Sequence, residues 1–212
     1  SRYGDENFNM ESATMLITVL YGLKGTPFVF QGEELGMTGI KFSSIDQYKD
    51  VESINMYNEY IEKGYDEKWI LDALYTKSRD NSRTPMQWDN AKYAGFSEAK
   101  PWIEVNENYK NINAENQLND KNSVYNYFKN FFELRKKHET FILGETKFVD
   151  IKSRNIFAYK RIYENKNILI IGNFDNKVNE LTIDISKYKL LLTNYKKEEI
   201  NKILPPYWVG VF

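Results

Sequence analysis

Apolar residues crowd the stretch 10–24, MESATMLITVLYGLK, on nearly every side of a helical wheel, with Met10, Ala13, Met15, Leu16, Ile17, Val19, Leu20 and Leu23. A helix of that kind is buried on several sides, and Gly25 stands where a left-handed C-terminal cap belongs. TPFVF follows as a short continuous apolar run that ends in the polar QGEELG. Buried helix, tight turn and short buried strand is the grammar of a parallel α/β unit, in which chemistry sits just past the strand. Weaker amphipathic patterns predict two helices, over 50–62 and 66–77. From 79 to 122 no period holds, and Pro85, Gly95, Pro101 and many asparagines predict loop.

Ser123 opens SVYNYFKNFFELRKKHE, where Val124, Tyr127, Phe128, Phe131 and Leu134 recur at helical spacing. Arg135, Lys136, Lys137 and His138 crowd the last turn, facing the negative end of the helix dipole, so His138 reads as a capping charge. After Gly144 the period shortens. ETKFVDI, NIFAYKRI, NILIIGNF, ELTIDI, KLLLTNY and YWVGVF are short β-rich segments, with turn residues at Asn165, Lys166 and Asn167 and at Asp175 and Asn176. They predict a small antiparallel β-sandwich whose boundary lies near 140–144.

Charge changes the picture only by exclusion. Lys and Arg number 29 against 30 Asp and Glu, a net charge of −1, which argues against a nucleic-acid partner. No apolar run approaches the ~20 residues of a membrane span, and the polar opening SRYGDEN holds neither an initiator Met nor a signal-peptide core. The chain has no cysteine and one histidine, so neither a thiolate nor a poly-histidine metal site exists; no metal or cofactor is expected, and nothing demands an oxidising compartment. A cytoplasmic protein is expected. Aromatic residues reach 16%; they fill cores, and they also match the flat faces of sugars.

Acid–base hydrolysis requires two carboxyl groups about 5–10 Å apart. The candidates are Asp5, Glu33, Glu34, Asp80 and Asp89. Glu33 and Glu34 are neighbours and cannot face one site together; Glu34 reads as an acid of a first helical turn. No Ser–His–Asp arrangement and no phosphate-binding glycine loop is present. The stretch RDNSRTPMQWD at 79–89 is the densest in expensive side chains. Arg79 and Arg83, held by turns at Asp80 and Asn81, present rigid forks that match a carboxylate or a vicinal diol. Equally, the arginines anchor a buried loop, with Met86 and Trp88 plugging the core below.

GTPFVFQGEELGM, RDNSRTPMQWD, AGF, PWIEVNENYKNIN, the ELRKKHE helix and the β tail resemble, in order along the whole chain, glycoside hydrolase family 13, the α-amylase family. The branch is that of oligo-1,6-glucosidases and trehalose-6-phosphate hydrolases. The resemblance implies the C-terminal part of a (β/α)₈ barrel over 1–141, followed by a β-sandwich domain over 142–212. Residues 10–24 and 123–139 become the last two barrel helices and 27–31 the eighth strand. It implies a retaining α-glucosidase for short α-linked oligosaccharides or disaccharides. The three catalytic carboxylates precede the segment SRYGDEN, so this chain carries none of them and is expected to be inactive alone. Arg83 first, and Arg79 second, is expected to steady the sugar in the innermost subsite. Asp80 and Asn81 would shape the loop behind them, and Gln31 and Glu33 would line the rim. Open strand edges are expected to drive self-association. The reading of another class, a carbohydrate-binding or scaffolding module, is opposed by the apolar helix and strand, which call for neighbours.

Overall fold

The helix starts are written in short polar side chains. In the computed structural model, which describes residues 3–196 and 202–212, α1 (Asn9–Tyr21) is followed by α2 (Val51–Glu62), α3 (Glu67–Lys77), α4 (Ala114–Asn119), α5 (Val124–Lys137) and α6 (Glu139–Leu143). Asp50, Asp66, Asn113 and Ser123 each cap the helix that follows by accepting a backbone N–H two or three residues into it, satisfying a donor that has no partner within the helix. No helix among the described residues is long and apolar enough to cross a membrane.

The strands are β1 (Glu145–Phe148), β2 (Ile156–Tyr163), β3 (Lys166–Asn173), β4 (Asn179–Glu180), β5 (Leu192–Thr193), β6 (Ile203–Leu204) and β7 (Val209–Val211). Five form an antiparallel sheet in the order β1-β2-β3-β7-β5, and β4 pairs with β6. Strand β3 explains the layering. Ile168 and Ile170 on one face join Met15, Val19, Tyr127 and Phe131 from α1 and α5. Leu169 and Ile171 on the other face join Leu181, Leu204, Trp208 and Phe212. A strand apolar on both sides sits mid-sheet with cover above and below.

The chain divides into two compact units, residues 1–3 with 37–120, and residues 4–36 with 121–212. The first gathers Ile40, Phe42, Tyr48, Ile70, Leu71, Leu74 and Ile103 around α2 and α3. The second holds the sheet together with α1, α5 and α6.

Several expectations need correction. Residues 26–30 run without pairing to any described strand, and Phe28, Val29 and Phe30 are exposed; an extended segment becomes a strand only through a neighbour's ladder. The first helix stops at Tyr21 with Gly22 as its cap, while Gly25 takes its positive φ of 131° beyond the helix. Packing calls for glycine at that cap: a Cβ on Gly22 would strike the Tyr159 hydroxyl and come within 2.7 Å of the Thr18 carbonyl. The 123–139 helix breaks at His138, which is extended between α5 and α6. The loop 79–122 contains α4 and three 3₁₀ turns, at Arg79–Ser82, Lys92–Gly95 and Glu107–Lys110. In ELTIDI only Glu180 pairs, as the end of β4.

Candidate functional site

The two groups of site residues belong to different compact units: Arg79, Asp80, Asn81 and Arg83 to the first, Gln31 and Glu33 to the second. In the first unit, Asp80 is fully buried. One carboxylate oxygen accepts the backbone N–H groups of Lys49 at 2.7 Å and Asp50 at 2.9 Å, and Ser78 Oγ accepts the Asp80 N–H at 3.2 Å. Asn81 donates to the Tyr75 carbonyl at 2.6 Å, at the end of α3. Both residues therefore hold the loop to the neighbouring helices, which answers how an aperiodic stretch stays ordered: polar side chains replace the missing ladder.

The arginines lie outside that buried frame. Arg83 Nη1 is 3.4 Å from Asp80 and 3.6 Å from Asp50, and its side chain is 39% exposed. Arg79 pairs with Glu52 and stands 3.5 Å from Asp50, with 60% of its side chain exposed. Asp50 was missed as a site residue, although the spacing of Asp50 and Ser53 in DVES is a capping signal. It is buried, and Ser53 donates to it through its hydroxyl at 2.9 Å and its N–H at 3.3 Å. Burial pushes the Asp50 carboxyl up, but the Ser53 hydroxyl, Arg79, the Ser53 N–H and Arg83 together outweigh it and hold its pKa below the ordinary value. The result is a buried carboxylate with two partly exposed guanidinium groups beside it. Met86 is buried, whereas Trp88 is 51% exposed and plugs nothing. Its backbone is instead held by Ala94 and α4, through Trp88 N–H to Ala94 O at 2.9 Å and Glu115 N–H to Trp88 O at 2.9 Å.

In the second unit, Glu33 accepts from the Tyr21 hydroxyl and, at 3.3 Å, from the Phe30 N–H. Burial and the Glu33 hydrogen bond raise the Tyr21 pKa. Glu34 accepts the Gly32 N–H at 2.8 Å, and both acids open the 3₁₀ turn Glu33–Leu35. Gln31 is exposed at the tip of this segment. The other acids are also engaged. Asp5 accepts from the Asn7 N–H and the Tyr207 hydroxyl, and Asp89 from the Ala91 N–H.

Two family models cover the chain: the α-amylase catalytic domain over residues 1–144 and the α-amylase SusG C-terminal domain over residues 156–208. This chain belongs to the α-amylase family. Among family members, it is 44% identical to the oligo-1,6-glucosidase of Bacillus cereus, covering 100% of this chain and 40% of that one. It is 43% identical to the trehalose-6-phosphate hydrolase of Bacillus subtilis, covering 98% of this chain and 38% of that one. The crystal structure of Bacillus licheniformis trehalose-6-phosphate hydrolase matches with a TM-score of 0.92 at 42% identity, covering 100% of this chain and 40% of that one. The chain thus spans about 40% of the length of the curated family members it matches. Its fold is that of part of a family (β/α)₈ enzyme together with an antiparallel C-terminal β domain.

Proposed function

We propose that this chain is the C-terminal part of a retaining α-glucosidase acting on short α-linked glucosides, with residues 1–141 in the catalytic barrel and 142–212 in the β domain. Within that enzyme Arg83 steadies the sugar. The carrying observation is the half-exposed Arg83 fork set between the buried carboxylates of Asp50 and Asp80. Such a fork is oriented before substrate arrives, so little freedom is lost when it meets two adjacent hydroxyls. Arg79, more exposed and engaged by Glu52, is second to it. Gln31 and Glu33 stand at the rim, Gln31 by exposure and Glu33 as the residue that holds the segment's shape.

The chain alone is proposed to be inactive, since every candidate acid is already engaged by a backbone N–H or a tyrosine hydroxyl. Its substrates in the parent enzyme are isomaltose-type α-1,6-glucosides. Trehalose 6-phosphate is the second reading, because the two kinds of relative match at 44% and 43% identity. Exposed Leu20, Phe28, Val29 and Phe30 lead us to propose self-association of the chain by itself; a monodisperse monomer in light scattering would refute it.

The test compares turnover of isomaltose and trehalose 6-phosphate by the parent enzyme, its Arg83→Lys variant and the isolated chain. Arg83→Lys keeps the charge and loses the fork; kcat/KM should fall about 100-fold, the size of a misplaced substrate. A variant as active as the parent removes Arg83 from the site. Turnover by the isolated chain above a blank removes the inactivity reading.

A further inference from the structure

The sheet of the second unit contains a fully buried arginine, Arg161 of β2, with no acid among the described residues within ion-pair distance. Its Nη1 donates to the Gly22 carbonyl at 2.8 Å and its Nη2 to the Gly144 carbonyl at 2.6 Å, while Nε has no partner among the described residues. Those carbonyls belong to the C-cap residues of α1 and α6. A buried cation without a counter-ion is expensive. Here the negative ends of two helices supply the compensation that a carboxylate would otherwise give. The arrangement is therefore a built junction between sheet and helices rather than an incidental contact.

Other side chains converge on the same helix end. The buried Tyr159 hydroxyl, two residues along β2, donates to the Val19 carbonyl at 2.7 Å. Arg135 of α5 donates to the Tyr21 carbonyl at 3.0 Å and the Gly25 carbonyl at 2.8 Å. Four carbonyls at or just beyond the end of α1 are thus held by side chains of β2 and α5. Tyr21, the last residue of α1, then carries the constraint forward. Its hydroxyl donates to the Glu33 carboxylate, which also accepts the Phe30 N–H, and lies 3.3 Å from the Phe28 carbonyl. The far end of the segment returns to α1, where Asn9 Nδ2 donates to the Gly36 carbonyl at 3.0 Å.

We propose that Arg161 is a positioning residue for the Gln31–Glu33 segment, acting across the end of α1 and through the Tyr21 hydroxyl. The β domain thereby sets the shape of a sugar-facing rim it does not itself line. The sugar-facing part of this statement rests on the rim reading above; the mechanical part does not.

The test is amide hydrogen exchange of the intact parent enzyme, read at residues 19–25 and 28–33, with KM and kcat for isomaltose measured alongside. Arg161→Met should speed exchange about tenfold in both stretches, the response to losing buried hydrogen bonds. Tyr21→Phe should speed it at 28–33 and leave 19–25 unchanged. KM should rise in both variants, with kcat kept within about twofold if only binding geometry is lost. Should Arg161→Met fail to fold, Tyr159→Phe, which removes only the bond to Val19, carries the same expectation at smaller size. Unchanged exchange at 28–33 in the arginine variant or its substitute overturns the proposal. Faster exchange with an unchanged KM supports the junction and overturns the rim reading.

Discussion

The two units reach order by different means. In residues 37–120 the defining side chains are short and polar. Asp80 holds the start of α2, Asn113 donates to the Tyr109 carbonyl and caps α4, and Asn106 ties itself to the Thr38 and Gly39 carbonyls. In residues 121–212 the ladder satisfies the backbone, and alternation along β3 sorts apolar side chains to two faces. The contrast teaches where sensitivity lies. A loop unit fails when one buried acceptor is lost; a sheet unit fails when volume is lost.

The largest expected effect is therefore in the sheet. Trp208→Ala empties a fully buried site and should cost about 3–5 kcal/mol, measured by urea unfolding followed through hydrogen exchange at β3. Asp80→Leu should come next, at about 2–3 kcal/mol, because the N–H groups of Lys49 and Asp50 lose their shared acceptor. Exchange should accelerate at residues 48–54 and stay unchanged at β3; equal acceleration in both would erase the contrast. Gly22→Ala, forced against Tyr159 and Thr18, should destabilise by about 1–3 kcal/mol, with the loss diminished in a Tyr159→Phe background if the clash is the cause.

Smaller effects follow pH. Burial raises the Tyr127 and Tyr159 hydroxyls in the sheet unit and, with Asp80 and Asp72 adding to it, pushes Tyr48 in the loop unit up to about 12. A raised value means stability is fully present below the unfolded pKa of about 10. It declines as pH rises through the folded values. Both units should lose stability above pH ~10, seen as coincident tyrosinate absorbance and unfolding. The Tyr48 hydroxyl is buried without a partner among the described residues, so Tyr48→Phe should remove its share of that loss and leave neutral-pH stability unchanged or raised. Asp50 has the opposite sign. Its lowered pKa adds stability above the ordinary carboxylate value and loses it as pH falls below. Asp50→Asn should therefore flatten the acid limb of the curve. The smallest effect is expected at Lys63, whose pair with Glu59 is exposed; Lys63→Ala should not move the midpoint measurably.

Several element types and helix starts could be read directly from the chain. The patterns that begin at Asp50, Asp66 and Ser123 announce their helices, and NILIIGNF announces a strand, because caps and hydrophobic pattern are properties of neighbours in sequence; α4, inside the stretch read as loop, was not announced. RTPMQWD and QGEELGM were enough to point to the family that the comparisons show. Long-range pairings were not legible. Nothing in MESATMLITVLYG says that the helix stops at Tyr21; Tyr159 and Arg161, more than 130 residues further on, hold its end. Nor does RDNSRTP say that Arg83 stands between Asp50 and Asp80, or that TPFVF lacks a strand partner among the described residues. A local signal is spent within a helical turn or a strand, whereas a buried guanidinium, a capped carbonyl or a ladder exists only once distant parts of the chain have met.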